Sequence, residues 1–94
     1  MFTYVGLIKL TPDGRENLTE APKYLDKITK IVEAEGGHLE RVFAMMGPWD
    51  FFAIVQYPEV EAAFRALAKI GQLEVVQTET FPVEELDVFL KTFA

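Results

Sequence analysis

The chain has 94 residues, half of them apolar and 13% aromatic, with 9 basic against 15 acidic residues and a formal net charge of −6. That length is one domain, residues 1–94, and that charge disfavours nucleic acid and anionic membrane surfaces as partners. Cysteine and serine are both absent; with a single histidine and no glycine-rich phosphate loop, no resident metal, cofactor or thiol or serine nucleophile is expected.

Phe2 to Leu10 is short, aromatic and β-branched, and reads as a buried strand. Thr11-Pro12-Asp13-Gly14 stops it, with Thr11 as N-cap and Pro12 at the first position of a short helical turn. From Ala21 to Glu35 the period changes. Leu25, Ile28, Ile31 and Val32 recur at helical spacing, while lysines and acids occupy the other face. Gly36-Gly37 ends this helix. His38 to Met46 and Trp49 to Tyr57 read as two strands of a hairpin turning at Gly47-Pro48. Pro58 opens a second helix, Glu59 to Ile70, with Val60, Ala63, Phe64, Leu67 and Ile70 as its apolar stripe. Glu74 to Phe81 reads as a fourth strand ended by Pro82. Leu86, Phe89, Leu90 and Phe93 mark a short C-terminal helix. The order β-α-β-β-α-β predicts an α+β, ferredoxin-like subunit with an extra C-terminal helix. No run reaches the roughly 18 apolar residues of a membrane span. Met1-Phe2-Thr3-Tyr4-Val5 has neither a basic n-region nor a cleavage site, so a cytoplasmic protein is expected.

Strand alternation exposes a second face. With an even-numbered turn, Phe43 stands opposite Phe52 and Met45 opposite Asp50. One face then carries Leu39, Arg41, Phe43, Met45, Asp50, Phe52, Ile54 and Gln56. The other carries Val42, Ala44, Met46, Trp49, Phe51, Ala53 and Val55 and suits the helices. Two helices cover one face only, so the first set needs a cover. A second copy of the chain is the simplest one, since a twofold contact needs a single self-complementary patch. Two such sheets make a dimeric α/β barrel, a homodimer with an apolar lumen and a few polar groups: Arg41, Asp50, Gln56, Tyr4 and Glu79.

Lys9-Leu10-Thr11-Pro12-Asp13-Gly14-Arg15-Glu16-Asn17, Glu35-Gly36-Gly37, the hairpin Gly47-Pro48-Trp49-Asp50-Phe51 and Gln77-Thr78-Glu79-Thr80 span nearly the whole chain. In order and spacing they resemble the GYD-domain family. Where that family's naming tripeptide has tyrosine, Pro48 and Trp49 lie between Gly47 and Asp50. The resemblance implies ferredoxin-like subunits paired as a dimeric α/β barrel, and no particular activity. The Gly-x-x-Asp hairpin is also similar to the ligand-binding domain of Lrp/AsnC-type regulators, which bind small molecules between subunits.

The candidate ligand-binding residues are therefore Tyr4, Arg41, Asp50, Phe52 and Glu79, with no catalytic residue assigned. Asp50 has two readings: a carboxylate that fastens the hairpin to backbone N–H groups, or a ligand-orienting group in the lumen. Arg41 can pair with a carboxylate at the subunit contact or with a bound anion. His38 with Glu40 is too small a set for a metal site. The expected function is a non-catalytic module that binds or senses a small organic ligand in the inter-sheet lumen. The alternative is a small cofactor-free enzyme of the dimeric-barrel type, a monooxygenase or isomerase.

Overall fold

A computed structural model describes residues 1–94. The elements are β1 (Phe2–Leu10), α1 (Pro12–Glu16), α2 (Ala21–Ala34), β2 (His38–Ala44), β3 (Phe51–Tyr57), α3 (Val60–Gly71), β4 (Val76–Val83) and α4 (Leu86–Lys91), with a 3-10 turn at Leu18–Glu20. The four strands form one sheet in the order β2-β3-β1-β4, and all three neighbouring pairs are antiparallel. Helices α2 and α3 lie on one face, which is the ferredoxin-like arrangement. No helix is long and apolar enough to cross a membrane.

Local chemistry explains the boundaries. Thr11 caps α1: its hydroxyl oxygen accepts the Gly14 N–H at 3.2 Å, with Pro12 opening the helix. Thr11 also donates to the Glu74 carbonyl at 2.8 Å, which ties α1 to the start of β4. Gly14 must be glycine there, because a Cβ would collide with the Val75 carbonyl oxygen. Helix α2 stops at Gly36, whose φ of +77° is costly for any residue with a side chain.

Four details differ from the sequence reading. The hairpin connection is six residues, 45–50, rather than a tight turn at Gly47-Pro48. Its even length keeps Phe43 opposite Phe52, as expected. Leu39 was expected beside Arg41 on the open face. An irregularity between Leu39 and Arg41 shifts the register by one residue, so Leu39 stands opposite Val55 and packs on the core. Strand β4 does not end at Pro82. It runs to Val83, because β4 is an edge strand and an edge tolerates a residue without an N–H. Finally, α3 is rotated relative to the expected stripe. Ala62, Ala63, Ala66 and Ile70 are buried, whereas Val60 and Phe64 are exposed.

The core lies between the sheet and the two helices. It is built from Tyr4, Val32, Val55, Tyr57, Ala62, Ala63 and Ala66 of α3, Ile70, Val75 and Val76. Only 13 of the 94 residues are buried, so much of this apolar chain's hydrophobic surface remains outside its own core. Part of it is on α4, which has no substantial contact with another element. Leu86, Phe89, Leu90 and Phe93 are all exposed there, Phe93 at 73%.

Candidate functional site

The open face of the sheet follows from alternation along each strand. On β1 it presents Thr3, Val5, Leu7 and the exposed Lys9. The pairing register builds rows across the sheet: Phe43, Phe52, Leu7 and Glu79 in one, and Arg41, Ile54, Val5 and Phe81 in the next. Phe43 and Phe52 pack with ring centroids 6.0 Å apart and planes tilted by 50°. The Arg41 guanidinium carbon lies 4.6 Å from the Phe43 ring centroid, a cation–π contact that leaves its hydrogen-bond donors directed elsewhere. Phe43, Phe81 and Val83 are exposed.

Three of the five sequence candidates share this face: Arg41, Phe52 and Glu79. Arg41 is on edge strand β2 and Glu79 on the opposite edge strand β4, three strand steps (about 14 Å) across and two residues (about 7 Å) along the strands. Neither has an ion-pair partner within the chain. The face is apolar at its centre, with Arg41 and Glu40 on one edge strand, Glu79 on the other and Lys9 at the end of β1.

Tyr4 is not part of it. Even-numbered residues of β1 point toward the helices, and Tyr4 is 7% exposed in the core. Its ring meets Tyr57 edge-on, with centroids 5.7 Å apart. Burial pushes the Tyr57 phenol up to about 12 from an ordinary 10.0, with smaller contributions from Tyr4 and Glu35. The sequence reading gave Tyr4 the wrong face because it had no register for β1.

Asp50 is occupied at the end of the hairpin. Its Oδ2 accepts the Leu10 N–H at 2.8 Å and lies 3.8 Å from the Arg15 guanidinium. Its own N–H donates to the Ile8 carbonyl at 2.9 Å. The Gly-x-x-Asp segment thus fastens the hairpin to the last residues of β1 and to α1.

Glu35 has a role that spacing alone did not reveal. Its carboxylate accepts from Arg65 Nε at 2.7 Å and from Lys69 Nζ at 2.9 Å, joining the end of α2 to α3. The Lys69 hydrogen bond, then that of Arg65, holds the carboxyl below the ordinary glutamate value. The one signal in the sequence was the basic pair at i and i+4 on α3, which makes a two-pronged site for a single acid.

Several known proteins are similar to this chain. The Thermus thermophilus protein named glutamine synthetase and cystathionine beta-lyase binding protein is 30% identical over 95 residues, covering 97% of this chain and 100% of that protein. Among solved structures, FFRP-DM1 superposes with a TM-score of 0.64 at 15% identity, over 89% of this chain and 100% of that one. Ribosomal protein S6 of Thermotoga maritima gives a TM-score of 0.60 at 16% identity, over 98% of this chain and 96% of that one. At such identities the two structures speak to the ferredoxin-like fold alone. The family profile described as GYD domain matches residues 4–92, nearly the full length and including the Gly47–Asp50 hairpin; the chain belongs to the GYD-domain family.

Proposed function

We propose that this chain is a non-catalytic binding protein that works as a homodimer, with the open faces of two sheets in contact. The observation that carries the proposal is the open face itself: a largely apolar plane, with Arg41 on one edge strand and Glu79 on the other, neither paired within the chain. Two copies related by a twofold axis parallel to the strands place β2 of one over β4 of the other. Each Arg41 then stands over the partner's β4 at the Phe81 row, two residues or about 7 Å along the strand from Glu79, a span its long side chain can bridge, twice over. An axis across the strands stacks β2 on β2 and offers no such pairing. Exposed apolar side chains also lie on α4, beyond the acidic pair Glu84-Glu85 that follows β4, and add surface a second copy can cover.

A binding role suits the relative from Thermus thermophilus, whose name records binding to two enzymes. For this chain the corresponding reading is a protein partner, an enzyme, held by the dimer. A second reading is a small organic ligand in the space between the sheets. It is favoured by Arg41, whose only neighbour of note in the chain is the Phe43 ring, and which can serve as counter-ion to a carboxylate.

Sedimentation velocity at micromolar concentration tests the assembly. The wild-type chain should sediment as a dimer. Phe52→Asp, which puts an unpaired charge in the centre of the contact, should weaken dimerisation by at least about 100-fold, or about 2.7 kcal/mol. Arg41→Glu and Glu79→Arg should each weaken it, and the double variant should recover most of the loss. A monomeric wild type, or two single variants with no effect, overturns the arrangement. A thermal-shift panel of small carboxylates then separates the two readings, since a ligand at about 100 times its Kd adds about 2.7 kcal/mol to the folded state. A shift that Arg41→Ala abolishes in an intact dimer supports the small-ligand reading.

A further inference from the structure

A cavity of about 360 Å3 lies on the other side of the sheet, between the strands and α2. It is distinct from the open face and from the proposed dimer contact. Of its 22 lining residues 17 are hydrophobic and none is charged. Its only lining residues with polar side-chain groups are Thr78, Thr80, Tyr24 and Tyr57, and the surface presented to the cavity is almost wholly apolar.

The register explains why there is space. Directly across the sheet, Val42, Ala53, Gly6 and Thr80 form one row on the helix side. The two central strands contribute Ala53 and Gly6, the smallest side chains available, where a sheet core ordinarily carries large ones. A Cβ placed on Gly6 would have no neighbour closer than 3.9 Å, so no close approach of backbone requires glycine there. Above this floor stand Tyr24, Leu25 and Ile28 of α2. The alanines of α3 let that helix settle on its half of the sheet, while the bulkier face of α2 spans the open half.

The cavity also has a mouth. Among its lining residues only Pro22, Leu25 and Val42 are exposed, Leu25 at 46% and Val42 at 38%. They mark an opening between the first turn and a half of α2 and the edge strand β2. The volume is at the lower end of the range for small-molecule sites, and an apolar lining with a few polar groups is the usual composition of one. Water needs two to four polar partners, which this lining does not offer at one point.

We infer that this cavity is a binding site for a small, uncharged, largely apolar molecule, about the size of a substituted naphthalene, admitted between α2 and β2 and carrying at most a hydroxyl or carbonyl for Thr78 or Thr80. The lining discriminates against anions and cations, because a charge there would be desolvated without a partner. The site does not depend on the chain being a dimer.

The uncharged fluorophore N-phenyl-1-naphthylamine is the probe. Titrated into the wild-type protein, it should show a saturable, blue-shifted emission at one molecule per chain. Gly6→Leu raises the floor, and should weaken binding at least about tenfold while the melting temperature stays level or rises, since it fills space in an apolar site. Leu25→Trp narrows the mouth from an exposed helix position and should also weaken or slow uptake, which decides the matter if Gly6→Leu does not fold. Phe43→Ala on the open face should leave uptake unchanged. Absence of saturable binding, equal binding in the folded cavity variants, or loss of binding in Phe43→Ala overturns the assignment.

Discussion

Asp50 shows how much one side chain organises here. It is only partly buried, yet its carboxylate satisfies the last N–H of β1 and draws Arg15 of α1 toward the hairpin. Asp50→Ala leaves the Leu10 N–H without its partner and should destabilise the fold by about 1–3 kcal/mol in a denaturant titration. Asp50→Asn keeps an oxygen acceptor but loses the charge, and should fall between the two. If Asp50→Ala leaves stability unchanged, the hairpin is held by its backbone bonds alone. Tyr4 makes the complementary point. Its phenol looked available for ligand chemistry in a list of residues, but the pleat of β1 commits its ring to the core beside Tyr57.

At the scale of elements, the junction of α2 with α3 rests on Glu35. Arg65 and Lys69, one helical turn apart on α3, both donate to it. Because its folded carboxyl titrates below the ordinary value of 4.5, its contribution is complete above that value and is lost as pH falls through the lower folded value. Glu35→Gln should therefore lower the melting temperature by a few degrees at neutral pH, and the difference from wild type should close as the solution is acidified. A difference that persists unchanged in acid would assign the effect to packing rather than to the charge. The pairing is exposed on its basic side, so added salt should shrink the effect as well.

For the molecule as a whole, the balance of surfaces matters most. One sheet face and one helical arm expose aromatic and aliphatic side chains, while the chain's own core is small. Helix α4 adds little to the folding of its own chain. Removing residues 86–94 should leave the melting temperature of the dissociated chain within about a degree or two, since exposed positions without contacts carry little stability. The same deletion should weaken dimerisation, as read by sedimentation. A truncated chain that still dimerises like the full one would mean that α4 lies outside the contact and its apolar face is open to another partner.

The sequence by itself determined the element order, the ferredoxin-like fold, the caps of α1 and α2 and the existence of a second apolar sheet face. Each of these is written locally, in periodicity, in Thr11-Pro12 and Gly36-Gly37, and in the pairing of Phe43 with Phe52 across an even loop. It also put Arg41, Phe52 and Glu79 on one face of the sheet. Register and helix rotation were decided only in three dimensions. A one-residue irregularity at Glu40 moved Leu39 to the core, and the alanine face of α3 outcompeted a more hydrophobic stripe because small residues allow closer approach to the sheet. The cavity under α2 needed the most information, since Gly6, Ala53 and Thr80 come from three strands. Each is unremarkable in sequence, and only the antiparallel register sets them side by side.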